Sequence, residues 1–187
     1  NKAYDKALAY ADKWANATHS ADAYTLSSQI YLIQNEYAKA VPFLEKAIEG
    51  RDATEQELRQ LNVVYYKVGE KAKRQSVMET LVVKFPKRDY MIDLIAIYEA
   101  DSEARAMLSL YRLAYEHDYL TKESEFVGYA DGALDAGAPA EALSVLQAGI
   151  KKDAVKLIAP TDRNSKLLAQ AKQQTAEDQK LLPQLDK

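Results

Sequence analysis

Cysteine is absent from the 187 residues, and histidine, tryptophan, glycine and proline are scarce, with two, one, six and five copies respectively. A chain without cysteine cannot form a disulfide, a thiolate metal site or a cysteine nucleophile. So few glycines and prolines leave few places at which a helix must end. Long apolar runs are also missing, because Asp93 interrupts the densest one, Met91–Tyr98, and a membrane-spanning helix needs about 20 apolar residues. We therefore expect a helical protein without a membrane span.

An excess of positive charge is lacking as well. The chain has 25 Lys and Arg against 28 Asp and Glu, which gives a net charge of −3. Without a clustered basic surface, nucleic acid is not expected as a partner. Hydrophobic residues make up 48% of the chain and charged residues 28%, as in ordinary globular proteins. A chain of this length can bury the core of one domain.

Apolar residues recur at helical spacing, and the pattern repeats about every 34 residues. In a frame that starts at Ala21, the recurring positions 4, 8, 11, 17, 20, 24 and 27 hold Tyr24, Ser28, Tyr31, Tyr37, Ala40, Leu44 and Ala47. Small residues at positions 8 and 20 let two antiparallel helices approach closely, and the larger residues fill the space around them. This pattern resembles the tetratricopeptide repeat (TPR). The resemblance implies an all-α, TPR-like α-solenoid, a right-handed superhelix of antiparallel helix pairs.

The same frame organises the whole chain, which we interpret as a single TPR-like domain, 1–187. We expect a half repeat at 1–20, repeats at 21–54, 55–87, 88–122 and 123–156, and a partial repeat at 162–187. Arg74, Ile95 and Met107 are bulky where the pattern expects a small residue. Because neither end has a polar capping unit, we expect a piece of a longer array; a complete small protein with frayed ends is the alternative.

Two segments carry a narrower resemblance. Phe85–Tyr90, with Leu94 and Tyr98 after it, and Tyr115–Lys122 are similar to a subgroup of proteobacterial TPR proteins associated with TonB-type energy-transduction systems. Ala138–Ala142 and Leu146–Ile150 complete the match. This resemblance implies a periplasmic accessory protein of a membrane energising complex, and a cytoplasmic location is the alternative.

Groups for catalysis are few. His19 and His117 have no nucleophile near them in sequence, and the glycines form no phosphate-binding loop. Asp131 and Asp135 share a helix face at i, i+4 spacing, but two ligands are too few for a metal ion. We therefore predict no catalytic residue, no metal site, no cofactor and no enzyme activity in this chain. An enzyme whose active site lies in flanking sequence is a weaker alternative.

The TPR resemblance assigns positions 2, 5, 9, 12 and 13 of each repeat to the inner, concave wall. From that wall we predict a partner-binding set of apolar anchors and charged rim residues. Its members are Gln29, Leu32, Ile33, Arg59, Val63, Tyr66, Ile92, Glu99, Val127, Asp131 and Leu134. An equally weighted alternative is that the residues at position 12 only pack between successive first helices.

These features predict a non-enzymatic scaffold that binds a peptide or helix of another protein in the concave groove. The partner's identity stays open. A second hypothesis is a self-association module, in which the terminal helices pair with other copies of the chain and form a homo-oligomer. The narrower resemblance adds to the scaffold hypothesis an accessory role in a TonB-type envelope complex.

Overall fold

The computed structural model describes residues 2–185, with the side chains of residues 3–181. Residues 186 and 187, the last two of the predicted partial repeat, lie outside the described residues. Within this range the chain forms ten helices and no strand, which confirms the predicted all-α class. The helices are α1 Lys2–Thr18, α2 Ala21–Ile33, α3 Tyr37–Ile48, α4 Glu55–Val68, α5 Lys71–Lys84, α6 Arg88–Ala100, α7 Ala104–Glu116, α8 Glu123–Asp135, α9 Pro139–Lys151 and α10 Arg163–Leu185. None of the helices in residues 2–185 is both long enough and apolar enough to cross a membrane.

The chain divides into two compact units, residues 1–90 and 91–187. In unit 1, neighbouring helices pack in sequence order: α1 on α2, α2 on α3, α3 on α4 and α4 on α5. Its core includes Ala40, Leu44, Leu61 and Tyr65. Ala40 is fully buried at a position where the repeat pattern needs a small side chain, because a methyl group there allows close packing of two helices.

In unit 2, α7 packs on α8, α8 on α9, and α10 on both α9 and α8. Phe126, Leu146, Ala130 and Ala142 are fully buried in its core. Ala130 and Ala142 are the small residues that the repeat pattern predicts at positions 8 and 20 of the repeat 123–156. Large side chains of α8 and α9 fill the space that these alanines leave, so the two helices pack closely.

The first helices of the four frames begin at Ala21, Glu55, Arg88 and Glu123, which are the residues at which the frames start. Glycine ends one of them: Gly69 caps α4 in the left-handed conformation, with φ 80°, which glycine adopts without steric cost. Pro139 occupies the first turn of α9, where its missing N–H costs no helical hydrogen bond.

The chain after residue 160 departs from the helix-pair pattern. The frame from Asp162 assigns Leu167 and Ala171 to a first helix and Leu181 to a second, but all three lie on the single helix α10. The physical reason is that no glycine or proline stands between Arg163 and Leu182, so nothing in this stretch forces a turn.

Candidate functional site

Six predicted wall residues belong to unit 1, where α2 and α4 carry them. On α2, Gln29 and Ile33 are exposed, whereas Leu32 is half-buried and packs against the core. The α4 residues Arg59, Val63 and Tyr66 are exposed, the last two by 51% and 64%. Helix α4 therefore presents a valine and a tyrosine to solvent beside an arginine, a combination that suits a protein partner.

Arg74 takes part in this surface, although it is not among the predicted partner-binding residues. Its Nε donates to Oδ1 of Asn62 at 3.1 Å, and its guanidinium carbon lies 5.0 Å from the centre of the Tyr66 ring. A cation over a ring face is attracted to its electron density. The bulky residue at position 20 of this repeat thus supports an exposed tyrosine at the candidate surface.

Unit 2 contains a cavity of about 1070 Å³ between α6, α7 and α8, with Arg163 of α10 also in its lining. We call it the unit 2 cavity. It brings together four of the five predicted residues of this unit: Ile92, Glu99, Val127 and Asp131. Val127 is buried, so its side chain belongs to the core beneath the surface. Leu134 is half-buried and does not line the cavity.

Several lining residues were not predicted, because they lie on α7 or α10 and outside the positions assigned to the concave wall. They are Arg105, Met107, Tyr111, Arg112 and Arg163. One signal for them was present in the sequence. Ile95 and Met107, the bulky residues that replace small ones in the third repeat, both line the cavity. Bulk at close-approach positions keeps two helices apart, so these departures from the pattern indicate where space opens.

Two arginines of the lining are already paired. Arg112 donates from Nε and Nη2 to the two carboxylate oxygens of Glu141, at 2.7 and 2.8 Å, and Tyr129 donates to the same carboxylate at 2.7 Å. These hydrogen bonds lower the pKa of Glu141. Arg163 Nη2 lies 2.5 Å from Oδ2 of Asp131.

Four other charged side chains of the lining make no ion pair with any described residue: Glu99, Asp135, Arg105 and Lys122. All four are exposed. They can therefore meet charges of a bound partner without first giving up a partner within the chain.

The described residues contain no group of three or more His, Asp or Glu side chains placed to hold a metal ion. The α8 carboxylate of Asp131 faces Arg163. His19 lies between α1 and α2, with Nδ1 3.3 Å from the Tyr24 hydroxyl, and His117 follows α7 and stacks on Tyr119. Neither histidine lines the unit 2 cavity.

The residues at position 12 do not behave alike. Tyr66 and Glu99 are exposed, whereas Leu32 and Leu134 are half-buried. Packing between helices accounts for the two leucines, while the exposed pair is free to contact a partner. Which of the predicted residues bind a partner stays a prediction.

Comparison with solved structures shows the fold. The chain is similar to YrrB, a TPR protein with an unusual peptide-binding site, at a TM-score of 0.53 and 18% identity over 92% of this chain and 84% of YrrB. It is similar to a chain of the Naa15/Naa10 complex bound to HypK-THB, at a TM-score of 0.63 and 16% identity over 96% of this chain and 28% of that one. MamA matches at a TM-score of 0.52 and 13% identity, over 80% of this chain and 88% of MamA.

These likenesses confirm the predicted fold class, a TPR-like α-solenoid. No protein-family model matches the chain. No curated protein matches it either.

Proposed function

We propose that the chain is a non-enzymatic scaffold that binds a peptide or helix of another protein through the first-helix side of its repeats. The observation that carries the proposal is the unit 2 cavity, in which four predicted partner-binding residues meet beside unpaired charges. A cleft that combines apolar side chains with a few polar groups is the usual form of a binding site. YrrB, which has this fold, has a peptide-binding site.

Within this proposal, the two units contribute different contacts. Val63 and Tyr66 offer exposed apolar area in unit 1, and aromatic anchors of this kind carry much of the energy of protein interfaces. In unit 2, Ile92 and Ala96 line an apolar part of the cavity, and Glu99 and Asp135 supply charge. Apolar contacts would give affinity, and the charges would select the partner.

The narrower resemblance adds a setting to the proposal: an accessory of a TonB-type envelope complex in the periplasm. The segments Phe85–Tyr90 and Tyr115–Lys122 support it. Expression of the whole protein with a fluorescent or enzymatic tag that works only outside the cytoplasm tests this location directly. A full-length fusion protein that is present in the cells but shows no tag activity would contradict it.

Selection from a displayed library of random peptides tests the scaffold proposal. Peptides of about 12 residues are about 40 Å long when extended, enough to cross one helix pair. We expect selected peptides to lose affinity at least about tenfold in Val63→Asp/Tyr66→Asp or in Ala96→Trp, which blocks the unit 2 cavity. Fluorescence anisotropy with synthetic copies of the peptides measures this loss.

Val83→Asp is the matched control, because Val83 on α5 is an exposed valine, like Val63, outside the predicted wall. Its affinity for the peptides should equal that of the wild type. Circular dichroism verifies that all variants keep their helices. Peptides that bind both wall variants as tightly as the wild type would place the interaction elsewhere.

Self-association is the second candidate function, and one observation favours it. Tyr10 and Trp14 of α1 are exposed by 73% and 42%, and their i, i+4 spacing puts both rings on one helix face. Two such faces can cover each other in a dimer. A molecular mass that rises with protein concentration separates this candidate from the scaffold.

A further inference from the structure

Helix α4 carries an exposed stripe in which cations alternate with apolar side chains. Arg59, Val63, Tyr66 and Lys67 stand at i, i+4, i+7 and i+8, so they share one face of the helix. All four side chains are exposed. Arg74 of α5 joins them, because its guanidinium carbon lies 5.0 Å from the centre of the Tyr66 ring. We call these five residues the basic stripe.

Two cations of the basic stripe lie at its α4 C-terminal end and make no ion pair with the side chains of residues 3–181. Arg74 donates from Nε to Oδ1 of Asn62, a neutral group, at 3.1 Å. Lys67 Nζ lies 6.0 Å from the centre of the Tyr37 ring. Both cations therefore remain available to a carboxylate from outside the chain.

Arg59 is the cation at the other end of the stripe. Glu55 lies one helical turn before it on α4, at the spacing at which opposite charges can pair. That carboxylate is bound by Lys87, whose Nζ donates to its two oxygens at 2.6 and 2.8 Å, and it also accepts from the Tyr90 hydroxyl. Arg59 makes no ion pair of its own among residues 3–181, so it too is available.

The other carboxylates of unit 1 do not neutralise the stripe. Further ion pairs join Glu36 to Lys39, Glu45 to Lys73, Asp52 to Lys84 and Glu57 to Arg51. Asp22 and Glu70 are exposed and lack an ion pair within residues 3–181, but the charge of Asp22 acts on Arg51 and that of Glu70 on Lys73. The basic stripe therefore carries a surplus of positive charge around two exposed apolar side chains.

We propose that the basic stripe binds an acidic segment of the partner, in which two carboxylates flank an apolar side chain. This inference rests on the proposed function, since it specifies the chemistry of the segment that unit 1 holds. The apolar side chain packs on Val63 and Tyr66. One carboxylate pairs with Arg59 and the other with Lys67 and Arg74, because charge-assisted hydrogen bonds to unpaired cations select an acidic partner.

The length of the stripe sets the spacing of the carboxylates in this segment. Arg59 and Lys67 are eight residues apart in the sequence, which separates them by about 12 Å along the helix. An extended chain rises about 3.3 Å per residue, and its alternate side chains point to the same side. Acidic residues four positions apart, with an apolar residue midway between them, therefore match the stripe.

Titration of the whole chain with acetyl-Glu-Ser-Leu-Ser-Glu-amide, followed by NMR of labelled tyrosine rings, tests the site. Acetyl-Gln-Ser-Leu-Ser-Gln-amide is the matched neutral probe, because it has nearly the same shape without the charges. We expect the acidic probe to shift the signal of Tyr66, which Tyr66→Phe assigns. It should bind at least about fivefold more tightly than the neutral probe, and added salt should reduce this preference.

Variants locate the binding on the stripe. Arg59→Gln and Lys67→Gln should each weaken the acidic probe by about threefold and leave the neutral probe unchanged. Lys13→Gln is the control, because Lys13 is an exposed cation on α1, outside the predicted wall, and its affinity should match the wild type. Equal affinity for the two probes, an unchanged Tyr66 signal, or the same loss in Lys13→Gln would overturn the proposal.

The two proposals fail in different ways. Selected peptides that lose affinity in Val63→Asp/Tyr66→Asp, but bind equally well when their acidic residues are replaced by amides, would leave the scaffold standing and remove the acidic segment. If the acidic probe prefers the basic stripe but no selected peptide depends on either wall variant, the stripe binds carboxylates and the scaffold proposal is wrong.

Discussion

Two glycines of unit 2 differ in the space around them: Gly149 has no room for a Cβ atom, whereas Gly132 does. A Cβ at Gly149 would lie 2.6 Å from Cγ2 of Val155 and 2.9 Å from Cγ of Phe126. Both neighbours are buried, so neither has room to move. We expect Gly149→Ala to lower the free energy of unfolding by about 1–3 kcal/mol, because it overpacks the core. Denaturation by urea, followed by circular dichroism, measures the change.

Gly132→Ala is the matched control for this prediction. Its new Cβ would meet Met107 Cε at 3.7 Å and Leu108 Cδ1 at 3.8 Å, which are ordinary contact distances. Alanine is the better helix former by about 1 kcal/mol, so this variant should be as stable as the wild type or more stable. Similar losses in both variants would mean that overpacking is not the cause.

Single residues also show the limit of prediction from the sequence. Ala40 and Ala142 follow the repeat pattern and are fully buried, because spacing alone decides which face of a helix meets its neighbour. Tyr111 is buried as its framework position predicts. The close approach of its hydroxyl to Gly128 depends on a residue of another helix, α8, which no local pattern brings next to it.

At the scale of one element, the start of α4 combines a helix cap with an ion pair. Thr54 Oγ1 accepts from the N–H of Glu57, and the Glu57 carboxylate accepts from the N–H of Thr54. Arg51 donates from Nη1 and Nη2 to the same carboxylate. The Arg51 guanidinium, together with the hydrogen bonds from Thr54, lowers the pKa of Glu57 to about 2.

This shift predicts a stability that depends on pH. The folded pKa lies below the unfolded one, so the charged carboxylate stabilises the fold above the ordinary pKa of 4.5, and the effect is lost as the pH falls towards 2. At neutral pH we expect the free energy of unfolding of the wild type to exceed that of Glu57→Gln by about 1 kcal/mol, a small difference because solvent screens a partly exposed ion pair. This difference should disappear near pH 2, where the Glu57 carboxylate becomes protonated in the folded protein.

Urea denaturation of both proteins across this pH range measures the gap. Glutamine keeps a side-chain oxygen for the cap, so the comparison isolates the charge. Glu49→Gln serves as control, because Glu49 is exposed and makes no ion pair with the described residues. A gap that stays constant with pH would show that Glu57 acts through shape alone.

Elements differ in how far the sequence predicts them. The starts of α2, α4, α6 and α8 coincide with the frame starts, since apolar periodicity and turn residues agree there. Helix α10 continues where the frame expects a second helix. The frame was extended there by matching apolar spacing, and apolar spacing cannot distinguish one long helix from two short ones unless a turn residue separates them.

At the scale of the whole chain, the repeat period was enough to predict the fold class, because each unit of the repeat buries its apolar face against the next. The candidate site was predicted in part. Ile92, Glu99 and Asp131 line the unit 2 cavity, and their role in binding a partner stays a prediction. Arg105 and Arg112 were missed, since they lie on a second helix that enters the lining only where bulky residues separate α6 from α7.

The single tryptophan makes self-association measurable. Trp14 is the one tryptophan of the chain, and it is partly exposed beside Tyr10 on α1. If α1 pairs with a second copy, the indole leaves water, and its emission shifts to shorter wavelength as concentration rises from about 1 to about 100 µM by mass action. Tyr10→Ser should abolish the shift, because it removes half of the apolar face.

Tyr66→Ser is the comparison variant, since Tyr66 is also a strongly exposed tyrosine, at 64% against 73% for Tyr10, but lies on α4 and not on α1. If the chain self-associates through α1, Tyr66→Ser keeps the concentration-dependent shift of the Trp14 emission. Under the scaffold hypothesis, neither the wild type nor any variant shows this shift. Light scattering on the same samples gives the mass. A mass that doubles while the Trp14 emission stays constant would place the contact between copies away from α1. The mass of Tyr66→Ser would then show whether the proposed partner-binding surface of unit 1 forms that contact.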